Sequence, residues 1–116
     1  MTRLEPGTPV DAAALPVALG AVPTDQVREG APAAGAAELG TVGGVEIGVW
    51  EHTPGVSTDV EADEVFIVLA GVATVSFDDP DLPDLDLRPG VVARLSAGMR
   101  TTWTVRETLR KVYLAP

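Results

Sequence analysis

From Thr41 onward, apolar and polar residues alternate in short runs cut by turn residues. Val45, Ile47 and Val49 alternate with Glu46, Gly48 and Trp50, the period of a half-buried strand. Thr53-Pro54-Gly55 breaks that run, and Ser57 to Asp63 reads as a polar, acidic connection. Glu64-Val65-Phe66-Ile67-Val68-Leu69-Ala70-Gly71 is a run of apolar, mostly β-favouring residues, entered by a carboxylate and closed by a glycine. It predicts a buried strand ending in a turn at Gly71, with Val72 to Phe77 as its hairpin partner. Leu85 and Leu87 flank Asp86 in another short strand. Arg88-Pro89-Gly90 and Ser96-Ala97-Gly98 are turn signals on either side of a strand from Val91 to Leu95. Arg100 to Val105 alternates and carries Trp103, Arg106-Glu107-Thr108 reads as a connection, and Leu109 to Leu114 as a last strand. Short strands, turns about every 8 to 12 residues and no helical period predict an all-β sandwich or barrel.

Residues 1–39 have a different texture. Pro6, Pro9, Pro16, Pro23 and Pro32 punctuate a stretch rich in alanine and glycine, including Ala31-Pro32-Ala33-Ala34-Gly35-Ala36-Ala37. Each proline fixes φ and removes a backbone donor, which disfavours a long helix or a central strand. The expectation is an irregular Pro/Ala-rich N-terminal arm over 1–39, extended, packing on the core or on a partner subunit, with a barrel domain over 40–116. Val10 and Ala14-Leu15-Pro16-Val17-Ala18-Leu19 are its candidates for short extended pieces.

Composition narrows the function. The 116 residues allow one domain with a single core, and 46% of them are hydrophobic. Only 4% are aromatic, so the two tryptophans, Trp50 and Trp103, stand out. A net charge of −9 argues against nucleic acid or an anionic membrane as a partner. There is no cysteine, which excludes disulfides, a thiolate nucleophile and a zinc finger. No apolar run approaches the roughly 18 residues of a membrane span, and the N-terminus lacks a signal-peptide layout, so the default expectation is a cytoplasmic protein.

Several residues invite a chemical reading that their context weakens. Five acidic residues between 78 and 86 lack the spacing of a calcium loop and read as a solvated hairpin loop. His52, the single histidine, sits beside a Pro-Gly turn and reads as a solvated surface residue. Ser57, Thr58 and Thr101 are hydroxyl candidates with no base at a defensible spacing, so a serine-hydrolase reading is set aside. Arg110 and Lys111 alternate faces, one able to pair with an acidic residue, on what reads by default as a solvated strand face.

Two spacings carry a resemblance. Glu64 and Gly71, six residues apart in between, resemble the end of the first cupin motif, G-x5-H-x-H-x3-4-E-x6-G. Gly90, then Ser96-Ala97-Gly98, then Thr101 resemble the second, G-x5-P-x-G-x2-H-x3-N. The words Val49-Trp50-Glu51-His52-Thr53-Pro54-Gly55, Asp63-Glu64-Val65-Phe66, Trp103-Thr104-Val105 and Leu109-Arg110-Lys111-Val112-Tyr113 make residues 40–116 similar to the single-domain cupins of the ureidoglycine aminohydrolase-like family. The resemblance implies an RmlC-like jelly roll, a cupin double-stranded β-helix whose wide mouth holds a ligand or metal, and frequent homodimers.

The departures matter as much. The motif histidines fall at Ser57 and Asp59, or at Thr58 and Val60, and at Thr101, while the asparagine falls at Val105. Of the four usual ligands only Glu64 is present, and one carboxylate with a threonine hydroxyl cannot replace three imidazoles. No metal ligand set and no cofactor is therefore expected, and Mn, Fe, Ni or Zn is disfavoured. If the cupin alternation holds, Glu64 points inward with Phe66 and Val68. It is then either a pocket carboxylate of raised pKa, able to act as acid or base, or a structural carboxylate bonded across the barrel to a threonine or tryptophan. Thr101 and Trp103 share one face, and Trp50 is placed near the rim. The reading is a small-molecule-binding cupin using Trp50, Glu64, Phe66, Thr101 and Trp103. Its alternatives are an aminohydrolase-, isomerase- or epimerase-like enzyme with Glu64 as acid/base or metal ligand, and a structural or regulatory dimer with a filled barrel.

Overall fold

A computed structural model describes residues 4–116, and it is all-β. Among the described residues the strands are β1 (Gly20–Ala21), β2 (Val27–Glu29), β3 (Ala33–Val42), β4 (Val45–His52), β5 (Gly55–Val60), β6 (Glu64–Asp79), β7 (Leu85–Leu87), β8 (Val92–Leu95) and β9 (Arg100–Ala115). Every pairing is antiparallel. No helix among the described residues is long and apolar enough to cross a membrane.

Two 16-residue strands, β6 and β9, organise the sheet. Val65–Ala70 pairs with Arg110–Leu114, and Ala73–Asp79 pairs with Arg100–Val105. The first of these ladders continues outward through β4, β3 and β1 on one side and β8 on the other. The second continues through β5 and β2 on one side and β7 on the other. The two halves fold over one another as a cupin jelly roll and share one apolar cluster. Phe66 and Val68 come from the first half of β6, Val75 and Phe77 from its second half, and Leu87, Leu95, Trp103 and Leu109 from β7, β8 and β9.

The expected turn at Gly71 does not form. The strand bends there and continues, so Val72 to Phe77 pairs with β9 rather than folding back on Val65 to Leu69. Gly71 has φ +97°, and a Cβ there would lie 2.3 Å from the Thr108 carbonyl oxygen. Glycine is needed at this point because two backbones cross without room between them, not because the chain reverses. The bend shifts the inward positions from even (Phe66, Val68) to odd (Ala73, Val75, Phe77), which a period-two pattern registers only as a break. Arg106-Glu107-Thr108 likewise proves to be the middle of β9, at the same bend, and not a connection.

Two further expectations are corrected. Ser57 to Asp63 is not all connection, because β5 runs to Val60 along β9. And Ala33–Val42, within and just beyond the Ala/Gly-rich segment, is a ten-residue strand lying between β1 and β4. Its poor strand propensity is overridden by close packing. A Cβ on Gly35 would lie 2.0 Å from the Ala18 carbonyl oxygen. Residues preceding β1 therefore cross directly over the outer face of β3. Arg110, on that same outer face, donates to the carbonyl oxygens of Ala12 (3.0 Å) and Leu15 (2.5 Å), and its Nε and Nη2 reach Glu51 Oε1 at 3.0 and 2.9 Å. Val49, fully buried on the face of β4 opposite Trp50, lies in this second layer.

Candidate functional site

A cavity of about 250 Å³ is lined by residues of the barrel strands and of the N-terminal arm. β4 contributes Trp50 and His52, β5 contributes Ser57, Thr58 and Asp59, and β9 contributes Trp103 and Lys111. Glu61 and Glu64 come from the β5–β6 junction. Gly20 to Pro23 and Gln26 close the remaining side, so the arm is one wall of the site. Alternation explains the inward set on β9: Thr101, Trp103, Val105, Leu109, Lys111 and Tyr113 share a face, and Arg110 takes the other.

Lys111 is the centre of this wall. Its side chain is 5% exposed, and Nζ lies 2.6 Å from Glu64 Oε2. The ammonium also lies 4.3 Å from the ring centroid of Phe66, 4.6 Å from Trp50 and 4.8 Å from Trp103. A cation over three ring faces gains from each quadrupole, more so where water is scarce. The solvated strand face expected for Arg110 and Lys111 is thus wrong for both: one anchors the arm, the other fills an aromatic cage. Glu64 points inward as the alternation requires, and its partner is the lysine rather than a threonine or tryptophan.

The carboxylate bonded to a threonine and a tryptophan is Glu61. Its Oε2 accepts from Thr101 Oγ1 at 2.5 Å and from Trp103 Nε1 at 3.0 Å. The Glu61 backbone is pinned in turn, donating to the Met99 carbonyl and accepting from Gly98 N, both across the turn before β9. Glu61 precedes the apolar run, so no strand period marked it.

His52 is 2% exposed, not solvated. Nδ1 donates to the Thr53 carbonyl oxygen at 2.7 Å, which leaves Nε2 as the acceptor of the Ser57 hydroxyl at 2.9 Å. Burial lowers its pKa, opposed in part by that backbone bond, so the ring is held neutral. A base therefore does stand beside Ser57, delivered by the β4–β5 turn, which returns the chain at Gly55 with φ +150°. Asp59 is pushed the other way: desolvation raises its pKa most, followed by the charge of Glu61, with a smaller contribution from Glu64.

Of the five binding residues read from the sequence, Trp50, Glu64 and Trp103 border the cavity together. Phe66 and Thr101 are fully buried behind it, the first against Lys111 and the second against Glu61. His52, Ser57, Asp59, Glu61, Lys111 and the arm residues were not singled out for the pocket. Only the Lys111 position on the face of Trp103 carried a signal for it.

Cupins commonly hold a divalent metal in the barrel, and the side chains here do not fit one. Ser57 is bonded to His52, Thr101 to Glu61, and Glu64 to an ammonium that already supplies the positive charge. No cluster of three or more His, Cys, Asp or Glu suited to a metal exists among the described residues.

No curated protein matches the chain. Among solved structures it is similar to a protein of unknown function of the DUF861 family from Pseudomonas syringae pv. tomato, with TM-score 0.73 and 21% identity over 90% of this chain and 46% of that one. It is similar to a protein of unknown function from Rhizobium leguminosarum bv. viciae, with TM-score 0.63 and 26% identity over 72% and 81%. The Clostridium difficile EutQ protein gives TM-score 0.61 and 16% identity over 72% and 67%. The profile of the EutQ-like cupin domain matches residues 39–113, which hold every cavity side chain apart from those of Ala34 and the arm. The chain belongs to the EutQ-like cupin domain family.

Proposed function

We propose that this chain is a small-molecule-binding cupin that takes its ligand in the cavity beside Lys111, without a histidine-held metal. The observation that carries the reading is the convergence of Asp59, Glu61 and Glu64 with one cation and two indole rings around an open space. That set suits a neutral or cationic organic molecule with hydroxyl, amine or carbonyl groups and repels an anion. About 250 Å³ lies below the roughly 300–1,000 Å³ of drug-sized sites, which points to a small metabolite. A thermal-shift screen of small amines, polyols and carbonyl compounds tests it. A binder raises the melting temperature by mass action and alters the fluorescence of Trp50 and Trp103, and Trp50→Ala weakens it. If no compound in those classes shifts the wild-type melting curve, the filled-barrel reading replaces this one.

A second reading places the chain closer to the ureidoglycine aminohydrolase-like cupins and makes it an enzyme. The words around Trp50, Glu64, Trp103 and Lys111 support that placement. The observation that favours catalysis is that Glu64, the expected acid/base, stands at proton-transfer distance from Lys111. Turnover of a screened binder, lost in Glu64→Gln while binding persists, separates it from simple binding.

A further inference from the structure

We infer that Lys111 is an amine nucleophile that captures a small neutral or cationic aldehyde or ketone as an imine, with Glu64 as its proton partner. The inference rests on the reading of the cavity as a ligand site.

Lysine is among the residue types least often buried, and this chain has a single one, Lys111, placed on the cavity wall. Stability alone does not account for it. A buried ion pair is a poor stabiliser compared with apolar side chains of similar volume, because desolvation of both charges offsets their attraction. Nor is Lys111 arranged to hold an anion, since an incoming anion meets Asp59, Glu61 and Glu64 as well. A carbonyl group brings no charge and avoids that repulsion.

The surroundings fit the product of condensation. Glu64 accepts a proton from the ammonium across the 2.6 Å contact, freeing the nitrogen lone pair. The lone pair forms the C–N bond while the carbonyl π electrons move to oxygen, which takes the proton back through Glu64. Loss of that hydroxyl as water, with a second amine proton relayed by Glu64, leaves a protonated imine. In sum, an ammonium and a carbonyl compound give an iminium and one water, with no oxidant or reductant. The iminium carries the same charge on the same nitrogen as the ammonium. It therefore keeps one N–H on Glu64 and the faces of Trp50, Phe66 and Trp103 around it. The site therefore holds an amine, a proton acceptor within reach of it and an apolar lining, the three parts that imine formation uses.

The test traps the imine. The folded protein is incubated near neutral pH with butanal and cyanoborohydride, whose hydride adds to the iminium carbon and leaves a stable secondary amine. Intact mass and peptide mapping then locate the adduct. With a single lysine, only Lys111 and the α-amino group compete. The expected result is an adduct at Lys111 forming at least about tenfold faster in the folded chain than in the same chain unfolded in guanidinium. Glu64→Gln slows it by about a hundredfold while its melting curve shows a folded protein. Lys111→Arg abolishes the adduct. Trapping at Lys111 no faster than in the unfolded chain, or only at the α-amino group, overturns the inference. Butan-1-ol and butanal without reductant are compared by melting temperature in parallel. A shift without an adduct removes the imine and leaves the binding site standing. An adduct without any shift from a non-covalent ligand keeps the imine and removes the reversible-binding reading.

Discussion

The Lys111 ammonium meets the Glu64 carboxylate at 2.6 Å, with 5% and 20% of their side chains exposed. Removing either partner strands the other in a site with little water. Lys111→Met and Glu64→Gln should each cost about 2–4 kcal/mol, somewhat below a fully buried pair because Glu64 is partly solvated. The double variant should cost clearly less than the sum. Urea unfolding of the four proteins gives the coupling directly, and additive losses would show that the pair is not an energetic unit.

Arg110 joins the arm to the barrel through four short contacts, two to Glu51 and two to the carbonyls of Ala12 and Leu15. Arg110→Ala leaves those oxygens without a charged donor and should cost about 2–3 kcal/mol. The loss is local: amides around β1 should exchange with solvent well before those of β6. Arg110→Lys should rescue little, since a point charge cannot serve three acceptors held in a fork.

Gly71 and Gly98 make a controlled pair. Both have positive φ, +97° and +88°, but a Cβ at Gly71 runs into backbone while one at Gly98 meets nothing within 4 Å. Gly98→Ala should cost only the conformational strain, about 1–2 kcal/mol. Gly71→Ala should cost more than about 3 kcal/mol or prevent folding. Equal losses would mean that the close crossing of β6 and β9 is not what selects glycine.

Acid should weaken the fold through His52. Its pKa is lowered by burial, so below about 6.5 the unfolded chain binds a proton that the folded chain resists. Stability then falls as pH drops through 6.5 toward the folded value, and is unaffected above it. Asp59 acts oppositely: its raised pKa makes stability fall as pH rises through the window above 3.8. Asp59 is more open to solvent than His52, which screens its interactions, and it contributes the smaller slope. Unfolding free energies from pH 5 to 8 for wild type and His52→Asn isolate the histidine by difference. A difference that does not change with pH would show that His52 is protonated equally in both states.

The strands with clear alternation were legible: β4, β7, β8 and the ends of β6 and β9 follow from their residues. Strand pattern alone led to an all-β sandwich or barrel, and the cupin architecture was implied by a family resemblance carried by the spacing of Glu64, Gly71, Gly90 and Gly98 and by the words around Trp50, Glu64, Trp103 and Lys111. What the pattern could not reveal was continuity. Gly71 and Arg106-Glu107-Thr108 carry turn chemistry, and only the pairing of β6 with β9 shows them as a shared bend. Nor does any local signal separate Lys111 from Arg110. One fits between aromatic rings contributed by three strands, and the other lies under an arm nearly a hundred residues earlier. His52 and Ser57 both stand out in the sequence, but their meeting depends on the β4–β5 turn geometry rather than on residue type.

The shared bend of β6 and β9 has a consequence for how the molecule comes apart. Each half of the jelly roll has its own β6–β9 ladder, but both ladders are built from the same two strands and pack on one shared apolar cluster. Opening one half strips Phe66 and Val68, or Val75 and Phe77, from the cluster that the other half packs against. The molecule is therefore a single cooperative unit around that crossing. The amides of Phe66 and Val75, on opposite sides of the bend, should report the same opening free energy in native-state hydrogen exchange.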